Sequence, residues 1–302
     1  MHILRPATAC LLAAAFLLGG CTQEDPEPPK RTTSSSEWRE SGSPGTTEYV
    51  ALGDSYAAAP GVPTTDVNNA CFPSSNNYPA LVAKALEVDR LIDASCGGAS
   101  TADLLGSQGP GRPPQLDALS TDTTLVTLTV GGNDNGVFAK LLTDCVAAAD
   151  LDPTGSPCRD GKESQADQSL LKRLDRSADN VDRVLAEIEE RAPEALVVVV
   201  GYPQMLPAKG TCRDRFPIAE GDFAYAREIN QTFNENLKQA AKEHDVEFVD
   251  MWSLSRGHDL CSDDPWVNGS TNLPDKAAPY HPFAAEQEAA AQAVVELVRK
   301  SG

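Results

Sequence analysis

Three nearly unbroken apolar runs, Leu125–Val130, Leu196–Val200 and Val246–Val249, limit what this chain can become. A strand wetted on one face alternates apolar with polar residues. Runs this continuous suit strands covered on both faces, as in parallel sheets. Glu48–Leu52 and Leu91–Ala94 supply two more strand candidates. Helical periodicity lies between and after these runs. Leu170, Leu171, Leu174, Ala178, Val181, Leu185 and Ile188 recur every three or four positions, opposite Arg173, Arg176, Asp179, Arg183 and Glu187. That stripe predicts an amphipathic helix with one buried face, ended near Pro193. Asp222–Lys242 predicts another, with Ile229, Phe233, Leu237 and Ala240 inward, and Ala284–Arg299 a last one, burying Ala290, Ala293, Val294 and Leu297. Strands alternating with helices predict the α/β class: a three-layer α/β/α sandwich around a central, mostly parallel five-stranded sheet. Its crossovers are expected to be right-handed.

The 302 residues divide by composition. Residues 1–20 read as a removable signal: a short charged start, then a nearly all-apolar Ala7–Leu18, too short to span a bilayer comfortably. Leu18-Gly19-Gly20-Cys21 resembles the bacterial lipobox, so Cys21 is the candidate for lipidation. Residues 21–46 read as a tether rich in Pro, Ser, Thr, Glu and Gly, unable to offset its own ordering entropy. Residues 47–302 are expected to form one domain of ordinary size. Two long connections, 56–78 and 131–168, are rich in Gly, Pro, Asn and Asp, with one short helix expected at Val137–Leu142. Loops of that length are usually functional.

The formal net charge is −19. Such acidity argues against a nucleic-acid partner, whose phosphates demand Lys and Arg, and fits an extracellular surface. Of the 8 cysteines, Cys10 falls in the signal and Cys21 is the lipid candidate. Cys71, Cys96, Cys145, Cys158, Cys212 and Cys261 remain, an even set that suggests disulfides in an exported chain, with the pairing left open by sequence alone. No Cys-x-x-Cys occurs and the 4 histidines do not cluster with cysteines, so neither a metal nor another cofactor is expected.

Gly53-Asp54-Ser55 directly follows the first strand candidate. A serine there sits at the carboxyl edge of a sheet, where open α/β folds expose their chemistry. Gly131-Gly132-Asn133-Asp134 follows the third strand candidate, and His281-Pro282 lies near the end. A serine hydroxyl needs a base to take its proton. Taken in order, Tyr49-Val50-Ala51-Leu52-Gly53-Asp54-Ser55-Tyr56, Cys96-Gly97-Gly98-Ala99-Ser100, Leu128-Thr129-Val130-Gly131-Gly132-Asn133-Asp134 and His281-Pro282 resemble the four blocks of the GDSL/SGNH hydrolase family. The likeness covers residues 47–300 and is nearest to secreted actinobacterial esterases and lipases, including their late Gly257-His258-Asp259-Leu260-Cys261 and Trp266.

The resemblance implies an SGNH fold and a serine carboxylester hydrolase. It implies Ser55 as nucleophile, His281 as general base and acid, and an oxyanion hole from the Ser55 and Gly98 amides and the Asn133 side chain. Many relatives have an aspartate three residues before the histidine. Ala278 stands there in this chain, so the Ala278 backbone carbonyl is expected to orient His281, with Asp275 as a nearby carboxylate. The likeness also implies disulfides Cys71–Cys96, Cys145–Cys158 and Cys212–Cys261. Asp54 and Asp134 are expected to brace turns, and His258 and Asp259 to be structural. Tyr56, Phe72, Phe138, Met205 and Trp266 are candidates for the walls of a substrate cleft or for core packing.

The missing Gly-x-Ser-x-Gly elbow argues against an α/β-hydrolase. Acyl esters, and lipid esters first among them, are the expected substrates. A polysaccharide O-acyl esterase and a catalytically weak, lipid-tethered binding protein of the envelope are the alternatives. The expected protein is a monomer at the outer face of the membrane, held by Cys21, or secreted.

Overall fold

The computed structural model describes residues 47–165 and 169–301. The expected signal, Cys21 and the whole of the expected tether lie outside the described residues. The strands are β1 (Glu48–Gly53), β2 (Arg90–Asp93), β3 (Thr123–Thr129), β4 (Leu196–Val200) and β5 (Glu247–Val249). They form one sheet in the order β2-β1-β3-β4-β5, and every pairing within it is parallel. Val50 pairs with Ile92 and with Val126, Val126 with Val197, and Val199 with Phe248.

The helices are α1 (Ser55–Ala58), α2 (Tyr78–Leu86), α3 (Thr101–Leu105), α4 (Val137–Ala149), α5 (Pro157–Glu163), α6 (Leu170–Arg191), α7 (Asp222–Glu243), α8 (Met251–Leu254) and α9 (Ala284–Ser301), with a 3₁₀ turn at Gln115–Ala118. Side chains on a strand point alternately to opposite faces, and here that alternation sorts the core. Val50, Leu52, Val126, Leu128, Val197 and Val199 pack with α3, α4, α6 and α7. Tyr49, Ala51, Leu125, Val198 and Val200 pack with α2 and α9. The result is the three-layer α/β/α sandwich expected from the sequence. Thr127 and Thr129 are buried in the central strand because Tyr49 and Tyr78 meet their hydroxyls at 2.7 and 2.9 Å. A buried hydroxyl so partnered avoids the cost of desolvation without a hydrogen bond.

Two elements differ from the sequence expectation. The short helix expected at Val137–Leu142 in the 131–168 connection begins at Val137 but runs through thirteen residues to Ala149 as α4, and α5 turns back beside it. Val137, Leu141, Cys145 and Ala149, four apart, form the buried stripe of α4. Asp152-Pro153 just after the helix hides its continuation in composition. In α9 the buried face is Glu286, Gln287, Ala290, Ala291, Val294, Val295 and Val298. Ala293 and Leu297 are half-buried.

Candidate active site

β1 ends in a turn that only glycine permits. Gly53 has φ 152°, and a Cβ there would lie 2.4 Å from the Thr129 carbonyl oxygen. That oxygen instead accepts the Asp54 amide at 2.9 Å. Asp54 caps α1: its Oδ1 accepts the Tyr56 amide at 2.8 Å and its Oδ2 accepts the Tyr202 hydroxyl at 2.5 Å. Burial pushes the Asp54 carboxyl up to about 7, against the pull of those two hydrogen bonds. Asp54 thus braces the turn, and Ser55 stands at the first position of α1, 8% exposed. Among the described residues nothing accepts the Ser55 amide. The first amides of a helix lack an intrahelical partner.

Gln115 holds the same turn from the side. Its Oε1 accepts the Gly53 amide at 2.8 Å and its Nε2 donates to the Gly53 carbonyl at 2.9 Å. That carbonyl also accepts the Cys96 amide at 3.0 Å, which ties the Cys96-Gly97-Gly98 loop to the serine turn. The Cys71–Cys96 disulfide and a bond from the Gly97 amide to the Cys71 carbonyl brace the loop on its far side. Gly98 has φ +78°, a left-handed conformation in which a side chain is strained. Asn133 Nδ2 donates to the Ala99 carbonyl at 2.9 Å, linking the third loop to the second. Asp134 completes the link by accepting from the Thr101 amide and hydroxyl at 2.9 and 2.6 Å and from Asn180 at 3.3 Å.

His281 lies on the loop before α9. Its Nδ1 is 2.7 Å from the Pro279 carbonyl. A carbonyl can only accept, so Nδ1 carries the hydrogen and Nε2 keeps its lone pair. Burial lowers the affinity of the ring for a second proton; the Pro279 carbonyl partly opposes this. The expectation for Ala278 is corrected here. Its carbonyl accepts the His281 amide and Asn268 Nδ2, not the ring. Tyr280, at φ 62°, turns the chain through the left-handed region and brings the carbonyl two residues back, not three, to the imidazole. Asp275 sits on an exposed turn, and among the described residues no carboxylate contacts the ring. Asn268 fastens this loop, its Nδ2 reaching the Thr271, Ala277 and Ala278 carbonyls and its amide the His281 carbonyl.

Ser55, Asn133 and His281 line one cavity of about 220 Å³. The remaining wall is mostly apolar: Tyr56, Phe138, Leu142, Met205, Leu206 and Phe216. Gly98 lies outside this lining and is exposed. Phe72 is 45% exposed, and Trp266 stacks on His258 at 4.4 Å, so neither belongs to the wall. His258 Nδ1 is 2.8 Å from the Asp264 carbonyl, and Asp259 Oδ1 accepts the Cys261 amide. Cys145 is bonded to Cys158 and Cys212 to Cys261. A larger groove of about 550 Å³ along the outside of α7 contains none of these groups. Gln115, Tyr202 and Asn268 carry no motif. Tyr202 could have been suspected, because it follows the β4 run at the sheet's carboxyl edge.

The model of the GDSL-like lipase/acylhydrolase family matches residues 51–289. Lipase 2 of Streptomyces coelicolor is 41% identical over 220 residues, covering 72% of this chain and 73% of its own. The crystal structure of phospholipase A1 from Streptomyces albidoflavus superposes with a TM-score of 0.65 at 28% identity, over 85% of this chain and 100% of that one. The extracellular lipase of Streptomyces rimosus gives 0.64 at 29% identity, with the same coverage. With its four ordered blocks, its parallel sheet and these likenesses, the chain belongs to the GDSL-like lipase/acylhydrolase family and is a carboxylic ester hydrolase.

Proposed function

We propose that the chain cleaves acyl esters with an apolar acyl part, lipid esters foremost, through a Ser55–His281 pair assisted by the Pro279 carbonyl. One observation carries this reading: Ser55, Asn133 and an imidazole whose Nδ1 is already engaged share a mostly apolar cavity. The Ser55 hydroxyl oxygen bonds to the ester carbonyl carbon as its proton passes to His281 Nε2. The carbonyl electron pair moves onto oxygen, where the Ser55 and Gly98 amides and Asn133 Nδ2 donate to it. Collapse of this intermediate breaks the ester C–O bond, and His281 returns the proton to the leaving alcohol. Water then repeats the sequence on the acyl-serine and releases the acid. Donors fixed in place beforehand stabilise the oxyanion without reorganising, each contributing about 3 kcal/mol.

The similar proteins named lipase and phospholipase A1 support a lipid ester over a small polar one. The reading places the enzyme outside the cell, free or held by a lipidated Cys21; the similar Streptomyces rimosus protein is described as extracellular. The test is a series of p-nitrophenyl esters from acetyl to palmitoyl, with acetylated xylan alongside, for the wild type and Ser55→Ala. Hydrolysis of apolar acyl esters that vanishes in a folded Ser55→Ala protein is expected. An unchanged rate in that variant would remove Ser55 from the mechanism, and release of acetate from xylan alone would favour a carbohydrate esterase.

A further inference from the structure

Tyr56 is the next residue after Ser55, yet it reaches the loop that carries His281. Its hydroxyl donates to the Tyr280 carbonyl at 2.8 Å, across 224 residues of sequence. Its ring stacks on the His281 imidazole, with centroids 5.8 Å apart and planes 29° from parallel. Its backbone is held at both ends: Asp54 accepts its amide, and Gln287 Nε2 donates to its carbonyl at 3.0 Å. Gln287 is buried and in turn accepts the Tyr78 amide at 2.7 Å, so α2 and α9 both brace the residue. Tyr202 packs against the Tyr56 ring at 4.9 Å.

We propose that Tyr56 is a positioning residue that couples the Ser55 turn to the His281 loop and takes over part of the work that a carboxylate does in a serine triad. The proposal rests on the Ser55–His281 reading. In a triad, the carboxylate fixes the imidazole and stabilises its protonated form. The Pro279 carbonyl supplies the first function only weakly, because one acceptor leaves the ring free to rock about that bond. Stacking against Tyr56 removes this freedom. The Tyr56 hydroxyl fixes the carbonyl of Tyr280, next to the peptide that presents the Pro279 oxygen. The face of a tyrosine ring is also negative and attracts a cation within about 6 Å of its centre. The imidazolium formed in the transition state is therefore favoured over the neutral ring of the ground state. An interaction stronger in the transition state raises kcat.

The experiment compares wild type, Tyr56→Phe, Tyr56→Leu and Ser55→Ala on one soluble ester; active sites of the three proteins that keep Ser55 are counted by titration with a phosphonate, and Ser55→Ala is normalised to total folded protein. Tyr56→Phe keeps the stacked face and loses the hydroxyl; Tyr56→Leu loses both. Per titrated site, kcat is expected to fall several-fold in Tyr56→Phe and about a hundredfold in Tyr56→Leu, with KM within about twofold of wild type. The partial rescue by phenylalanine is the signature of a coupled ring. Equal kcat per site in all three Tyr56 proteins would overturn the proposal, as would a rise in KM at constant kcat, which would leave Tyr56 a cavity wall only. If Tyr56→Leu does not fold, an unchanged kcat in Tyr56→Phe still overturns the role of the hydroxyl strut. Persistent turnover in Ser55→Ala would overturn the underlying Ser55–His281 reading instead.

Discussion

Asn133 has two amide hydrogens. One donates to the Ala99 carbonyl. In the proposed mechanism the other serves the oxyanion. Asn133→Ala is expected to lower kcat by about 10²- to 10³-fold, as loss of one such donor does, with KM much less affected; steady-state kinetics on a short acyl ester checks this. In the proposed mechanism His281 must be neutral to accept the serine proton. Burial holds its second protonation below the ordinary imidazole value. The acid limb of kcat/KM, which reports the free enzyme, is therefore expected below about pH 6.5. A pH–rate profile with an acid limb above that value would contradict a buried, carbonyl-bonded imidazole.

At the scale of elements, the site is a meeting of strand ends. β1 and β3 deliver Ser55 and Asn133 because both strands stop at the same edge, with Gly53 paired to Thr129. The 3₁₀ turn at Gln115–Ala118 then matters out of proportion to its length. Gln115→Leu removes two buried hydrogen bonds and leaves the Gly53 amide without its acceptor. At about 1 kcal/mol per bond plus the cost of an unpaired group, the expected loss is about 2–4 kcal/mol. Urea denaturation should show a lower midpoint at unchanged slope, and kcat should fall with it because the Ser55 turn loosens. The position of α4 shows the same logic from the other side. Its stripe of Val137, Leu141, Cys145 and Ala149 is a plain four-residue period that starts where the sequence placed it, at Val137, and carries the helix on past Leu142 to Ala149.

Among the described residues, burial holds several carboxyls on the high side, including Asp93, Asp134 and Asp222 together with Asp54 and Glu286. Burial raises Asp54 to about 7 and Glu286 to about 8. The folded state holds these protons more tightly than the unfolded chain, where carboxyls titrate near about 4. Their contribution to stability is thus full below that value and is lost as pH rises through 7 and 8. Asp144, lowered by its bond to Lys162, and Asp152, lowered by the Gly155 amide, act in the opposite sense and lose stability as pH falls. Stability is therefore expected to peak in mildly acidic solution. Glu286→Gln, which cannot ionise, should melt higher than wild type at pH near 8 and show a flatter decline above neutrality. Thermal melts across the pH range check this; a steeper decline in the variant would place the cause elsewhere.

Much of the architecture was legible because it is written in short-range patterns. Continuous Val-rich runs mark strands covered on both faces, and the three-four spacing of Leu174, Val181, Leu185 and Ile188 marks α6. Gly53, Asp54 and Ser55 are readable together because one tight turn needs all of them within three positions. The partners that hold the site are a different matter. Gln115 lies 62 residues from Gly53 and Tyr56 lies 224 from Tyr280, so no local period or spacing connects them. The direction of the carbonyl that meets His281 depends on one backbone angle, the left-handed φ of Tyr280. The layers, the existence of the five strands and the candidate groups could be read from neighbours along the chain, while the strand ends moved by a residue or two. That Pro279 rather than Ala278 faces the imidazole, and which side chains clamp the turns, follows from packing alone, because those contacts exist only once distant segments meet.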